Sequence, residues 1–363
     1  MLASASLVCV GLTSVPATAA DPERTATANG PAAPGPTERL ASTAYATGVD
    51  TPAEARRVER FHTASAGTRA LLTADLPEGR VVSRSTGTVP LDGPPGSVAP
   101  VAPSQAWAKG LPDPAVQRIE RAFAPELAAG TVLHRSVGKV EFTDPRQPTV
   151  TQICSGAAIN SPSKMMVATA GHCVAVGGSG NGGPPDTDRI WMKNWVFIPA
   201  YNTNGQTAPY GRFTAKSFRA FDYWLDGGGS PYDFALVTVN PNAAGQRVVD
   251  AVGGNGLSWN YTHQEDLTIV GYPVFHDYGN TQYQHAGRTK TSTENSANIM
   301  MEGSGFDGGG SGGPWLRTID PLTNLGKING VTSGKHKDSS GNNDSPHFGG
   351  DMKWLWDQQG SVT

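Results

Sequence analysis

The chain has 363 residues, with 28 Lys+Arg against 31 Asp+Glu. Balanced charge without a long basic run excludes an electrostatic nucleic-acid binder, and no later segment is apolar over a membrane-spanning length. Glycine (45) and proline (28) are abundant and long amphipathic patterns are scarce, which predicts an all-β domain of short strands and tight turns. From the N-terminus, residues 1–20 read as a secretory signal. Leu7-Val8-Cys9-Val10-Gly11-Leu12 is its apolar core and Ala17-Thr18-Ala19 its small-x-small cleavage site. No Lys or Arg precedes that core, which a true start further upstream would explain. Bulky Val8 argues against a lipid anchor on Cys9. Residues 21–130 carry no catalytic constellation. Asp21 to Pro36, rich in Ala, Pro and Thr, reads as disordered, and 52–62 as a short charged helix. Recurrent Pro and Gly from Gly87 to Pro103 mark a linker. Asp113 as N-cap with Pro114 at the first helical position opens a helix through Leu127.

From Ser136 onward the text is strand-like. Val137–Phe142, Gln152–Ile159, Met165–Ala168, Ile190–Ile198, Asp233–Val239, Leu267–Pro273, Asn298–Glu302 and Pro314–Ile319 read as strands, and Asp351–Gln358 as a C-terminal helix. Gly177 to Asp188 reads as a surface loop. His263, His276 and His285 lack metal-ligand spacing, so no metal or cofactor is assigned.

Three residues stand out for chemistry. His172 lies in Thr169-Ala170-Gly171-His172-Cys173, where a buried strand ends and a turn begins. Cys154 and Cys173 suit a disulfide tying that turn to the preceding strand, worth about 3 kcal/mol in the chain-entropy model for a loop of this size. Asp233 opens an apolar strand, an expensive place for a carboxylate without a partner; it suits an acceptor for His172 Nδ1–H. Asp222 and Asp226 are rivals but precede no apolar strand. Ser311 lies in Gly308-Gly309-Gly310-Ser311-Gly312-Gly313-Pro314, where glycine lets the backbone expose a hydroxyl and aim N–H groups at one spot.

The order His172, Asp233, Ser311, with the segments Cys154-Ser155-Gly156, Thr169–Cys173, Asp233–Leu236, Gly309–Pro314 and Gly330-Val331-Thr332-Ser333-Gly334, resembles secreted bacterial chymotrypsin-fold (trypsin-like) serine peptidases, such as glutamyl endopeptidases and streptogrisins. The resemblance covers about residues 136–358. It implies two six-stranded antiparallel β-barrels with the active site between them and a C-terminal helix. It also implies a secreted monomer whose signal peptide (1–20) and partly disordered propeptide (21–130) precede a peptidase domain (131–363). Its substrates would be proteins or peptides, with no nucleic acid or membrane partner. The triad would be His172, Asp233 and Ser311, and the oxyanion hole the backbone N–H groups of Gly309 and Ser311. Thr332, Ser333 and Gly334 would line the substrate groove. Gly310 stands where the animal enzymes carry the aspartate that captures a new N-terminus, so activation needs another route, with Arg135-Ser136 one possible junction. Gly305 argues against Lys/Arg preference, and Thr332 stands where glutamyl endopeptidases use a histidine; both favour an apolar pocket, with Phe306 a candidate for its wall. Lys335 and His336 read better as solvated loop charges than as a site for an acidic side chain. A non-catalytic trypsin-fold binding protein is the alternative.

Overall fold

The computed structural model describes residues 38–49, 51–63, 81–90, 93–104, 133–177, 190–202, 207–227, 229–336, 338 and 340–363. The expected signal, the helix at 113–127 and residues 178–188 of the expected surface loop lie outside them.

The N-terminal part contributes β1 (Glu38–Thr47), helix α1 (Pro52–Thr63), β2 (Val81–Pro90) and β3 (Gly96–Val98). The expected helix starts on a capping box: Glu54 N–H donates to Thr51 Oγ1 at 3.2 Å, and Thr51 N–H donates back to Glu54 Oε2 at 2.9 Å. The stretch from Gly87 to Pro103, read as a linker, instead carries the end of β2 and all of β3. Pro90 ends β2 opposite Glu38, and the prolines around β3 sit outside its three paired residues, so they leave that ladder intact.

Six strands follow: β4 (Val137–Thr143), β5 (Thr151–Ile159), β6 (Met166–Thr169), β7 (Lys193–Pro199), β8 (Phe213–Phe221) and β9 (Ala235–Val239). Their order β8-β7-β4-β5-β6-β9 closes through β8–β9 pairing into an antiparallel barrel. The apolar runs of β6 and β9 are buried at every position, as their unbroken hydrophobicity predicts. Val140, Val167, Phe197, Phe213, Leu236 and Val237 are fully buried in this core, each worth roughly 1.5–3 kcal/mol of transfer free energy. β8 escapes a sequence pattern because Lys216 and Arg219 interrupt it. Short helices α2 (Asp222–Leu225) and α3 (Val248–Val252) flank β9 in the chain.

The second half comprises β10 (Gly256–Trp259), β11 (Asp266–Gly271), β12 (Tyr283–Arg288), β13 (Lys290–Thr291), β14 (Asn298–Met301), β15 (Pro314–Arg317), β16 (Lys327–Val331), β17 (Gly334–Lys335) and β18 (Asn343–Pro346). They form a six-stranded sheet, β12-β11-β15-β16-β10-β3, and a four-stranded one, β13-β14-β18-β17. All pairings are antiparallel except β10 with β16. Between the sheets a side chain replaces the ladder: Val331 N–H donates to Ser345 Oγ at 2.9 Å. Leu267, Ile269, Ile299, Met301, Phe306 and Trp315 form this half's own apolar cluster. Helix α4 (Gly350–Gly360) ends the fold as expected. It buries Met352 and Leu355, and Gln359 Nε2 donates to Thr238 Oγ1 on β9 at 2.7 Å.

Candidate active site

His172 sits on a 3-10 turn, Gly171–Cys173, directly after β6. The turn is fixed from two sides. The disulfide Cys154–Cys173 joins it to β5 with Cα atoms 6.3 Å apart, and Trp195 Nε1 donates to the Cys173 carbonyl at 3.0 Å. The Trp224 ring of α2 packs 6.3 Å from the imidazole.

Asp233 follows a second 3-10 turn, Ser230–Tyr232, and is 2 % exposed. Three donors compensate the buried carboxylate. His172 N–H reaches Oδ1 at 2.8 Å, His172 Nδ1 reaches Oδ2 at 2.8 Å, and Ser333 Oγ reaches Oδ2 at 2.5 Å. A carboxylate only accepts, so Nδ1 carries the proton and Nε2 is the basic nitrogen. The side chain of His172 is 30 % exposed, so the ring is not sealed from solvent. Burial pulls its pKa down, but the charge of Asp233 and its hydrogen bond outweigh this and leave it raised above the ordinary 6.5. Asp233, not Asp222 or Asp226, is the carboxylate on this ring.

The Ser311 loop is strapped to β5, the strand that the disulfide ties to the His172 turn. Ser155 N–H donates to the Ser311 carbonyl at 2.7 Å, and Ser155 Oγ donates to the Gly309 carbonyl at 2.8 Å. Tyr272 N–H donates in turn to Ser155 Oγ at 2.8 Å. The Ser311 carbonyl oxygen lies 3.7 Å from Cys173 Sγ, one residue beyond His172. Gly312 has φ +79°, and a Cβ there would lie 2.2 Å from Thr169 Oγ1 and 2.4 Å from the Ser155 carbonyl. Only glycine allows that approach. Gly312 N–H donates to the Thr332 carbonyl at 2.7 Å, and Thr332 N–H to the Gly313 carbonyl at 2.9 Å. The next residue, Ser333, holds Asp233. A circuit of contacts thus runs from the Ser311 loop through Thr332, Ser333, Asp233 and the His172 turn back to Ser311.

The three residues expected along the groove differ in placement. Thr332 is 2 % exposed and its Oγ1 accepts Trp315 Nε1–H at 3.0 Å. Ser333 faces Asp233, and Gly334 is exposed on β17, an edge strand of its sheet. Phe306 is buried in the second-half cluster, packed against Tyr283. His336 is no solvated loop charge: it is 4 % exposed, with Nε2 2.6 Å from Asp344 Oδ1. The strand β18, polar in sequence and buried in the fold, supplies that partner. Lys335 is exposed. The Cys154, His172 and Cys173 ligand atoms cluster closely, but the two sulfurs are bonded to each other.

Ser155 and Thr169 fall within segments quoted for the resemblance, but neither they nor Trp224 received a supporting role from the sequence. Their partners lie far away in the chain, Gly309 being 154 residues from Ser155, so no local spacing announces them.

No family model matches the chain, and no curated protein matches it. Solved structures do. The protease Anisep from Arthrobacter nicotinovorans is 27% identical, with 64% of this chain and 98% of that one covered and a TM-score of 0.55. A thermostable serine protease, AL20, from an extremophilic microorganism is 23% identical, covering 63% of this chain and 99% of that one, again with a TM-score of 0.55. The fold is therefore that of the bacterial chymotrypsin-fold serine proteases.

Proposed function

We propose that this chain is a secreted serine endopeptidase that hydrolyses peptide bonds of protein or peptide substrates through an acyl-enzyme. The observation that carries the reading is the double hydrogen bond of Asp233 to His172, with the Ser311 loop bonded to Ser155, next to the disulfide that holds the same turn. Ser311 Oγ attacks the scissile carbonyl, and His172 Nε2 takes its proton and later delivers it to the leaving amine. Asp233 keeps the proton on Nδ1 and stabilises the imidazolium. The N–H groups of Gly309 and Ser311 bind the oxyanion. Supporting this, Gly310, Gly312 and Gly313 N–H are spent on carbonyls, while among the described residues those of Gly309 and Ser311 meet none. Losing one such donor costs about 2.7–4 kcal/mol of transition-state stabilisation.

The groove prefers an apolar side chain. Gly305 offers no carboxylate, Thr332 Oγ1 is occupied by Trp315, and Asp344 holds the His336 ring. Residues 1–20 direct export, and a cut at the end of the propeptide (21–130), with Arg135-Ser136 one junction, severs its covalent link to the peptidase domain (131–363). That the Anisep likeness covers nearly all of that protease yet 64% of this chain supports such a division.

The test is cleavage of a peptide library by the processed protein, with Ser311→Ala as control. Cleavage beside apolar residues, lost in the variant, is expected. No cleavage and no labelling by a fluorophosphonate probe would instead leave a non-catalytic trypsin-fold binding protein. Cleavage confined to positions after Glu would overturn the pocket assignment.

A further inference from the structure

The described residues between 38 and 104 pair with both halves of the fold. On the first barrel, β1 extends β8 from Thr43↔Phe221 to Thr47↔Ser217. The ladder continues where Gly48 N–H donates to the Lys216 carbonyl at 2.6 Å and Val49 N–H to the Ala215 carbonyl at 2.7 Å. Asn240 Nδ2 donates to the Val49 carbonyl at 2.9 Å. Ala46, Val49 and Val58 belong to the barrel's buried cluster, and Phe61 of α1 is fully buried. His62 Nε2 donates to the Asn194 carbonyl at 2.5 Å.

On the second half, β3 pairs antiparallel with β10, Gly96↔Trp259 to Val98↔Leu257. Val101 and Gly254 exchange two backbone hydrogen bonds of 2.8 Å, and Ser104 N–H reaches the Asp250 carbonyl at 3.0 Å. Asn160 Nδ2 donates to the Ala99 carbonyl at 2.9 Å. Gly256 is the telling residue on the receiving side. A Cβ there would lie 2.0 Å from the Val98 carbonyl oxygen, and its three nearest atoms all belong to residues 98–100. The small residue is required by the seated segment. Conversely, a Cβ on Gly96 would strike the Trp259 ring at 2.3 Å.

None of the sheet pairings and hydrogen bonds described for residues 38–104 reaches the Ser311 loop or residues 332–336. Among the described residues, the segment's strand pairings to the rest of the chain are made to β8 and β10. Losing it would strip β8 of a partner, turn β10 into an open edge and uncover core side chains, each of which favours aggregation or loss of stability.

We propose that residues 38–104 are not discarded when the chain is cut, but stay bound as a structural chain seated on β8 and β10. The partner of those two strands is the protein's own N-terminal part. This rests on the proposed cut at the end of the propeptide, but its test reads composition rather than catalysis, so the two readings fail separately.

A recognition sequence for a site-specific protease, inserted after Lys109 of the full chain, allows cleavage at will. Size-exclusion chromatography and native mass spectrometry then ask whether the two pieces part. One species holding both at 1:1, separable only in denaturant, is expected. Separate elution in native buffer overturns the proposal. Gly256→Ala places a methyl against the Val98 carbonyl and, in the cut protein, should release the N-terminal piece at least tenfold faster. An unchanged release rate overturns the assignment of β10 as a seat. A cut complex that stays together but cleaves no peptide would sink the peptidase reading alone.

Discussion

His172 and Asp233 are held by charge-assisted side-chain hydrogen bonds within a closed barrel, whereas Ser311 is held through carbonyls and glycines on a loop. The two regions manage different risks. A buried carboxylate is stable only with donors around it, so its position is enforced electrostatically. As the proposed nucleophile, the Ser311 hydroxyl has to stay uncommitted, and its loop is held through the backbone path around it. A substitution at the first region should therefore harm chemistry more than folding. At the supports of the second, folding and chemistry should suffer together.

The largest expected effect is Ser311→Ala, which should lower kcat roughly 10⁶-fold while leaving the thermal midpoint almost unchanged, as read by peptide hydrolysis and calorimetry. A large loss of stability would contradict an uncommitted hydroxyl. Asp233→Asn should lower kcat about 10⁴-fold by stabilising the wrong tautomer. A drop of tenfold or less would show that the clamp is structural only. Gly312→Ala meets Thr169 Oγ1 and an unfavourable φ, and should destabilise by about 2–4 kcal/mol, measured by urea unfolding. Ser155→Ala leaves Tyr272 N–H without its acceptor and frees the Gly309 carbonyl. It should cost about 1–3 kcal/mol and lower kcat together with stability. If stability falls and kcat does not, the strap does not position the loop.

The smallest expected effect is a pH shift. Asp233 favours the charged imidazolium, so the His172 pKa lies above 6.5, and the protonated ring cannot act as base. kcat/KM should rise with pH through an apparent pKa above 6.5. The clamp's linkage to stability has the opposite sense, being fully present below the unfolded-state pKa of 6.5 and lost as pH rises through the folded value. An acid limb at or below 6.5 would break the contrast between the two regions.

Much of this was legible in the chain. His172, Asp233 and Ser311 each announce themselves by an anomaly against local physics: a histidine at a strand end beside a cysteine, a carboxylate heading an apolar run, and a serine among glycines. The apolar strands β6 and β9 follow from their unbroken hydrophobicity, and helices α1 and α4 lie where the sequence places them, at 52–62 and 351–358. β8 and β18 do not, because their polar residues are satisfied by partners elsewhere: Arg219 by Gln359, and Asp344 by Ser292 and His336. Reading His336 as solvated failed for the same reason, since its partner lies eight residues on, across a strand pairing.

Residue type and order alone determined which groups could be acid, base and nucleophile, and that two cysteines could tie the histidine's turn. Those are properties of side-chain chemistry and of local backbone preference. Only the tertiary structure decided that Ser333 completes the Asp233 site, that Ser155 fastens the Ser311 loop, and that a Gly/Pro-rich stretch read as a linker carries a strand in the second sheet. Such assignments depend on contacts across tens to hundreds of residues. There the energy comes from closing hydrogen bonds and burying surface between segments whose proximity no local pattern encodes.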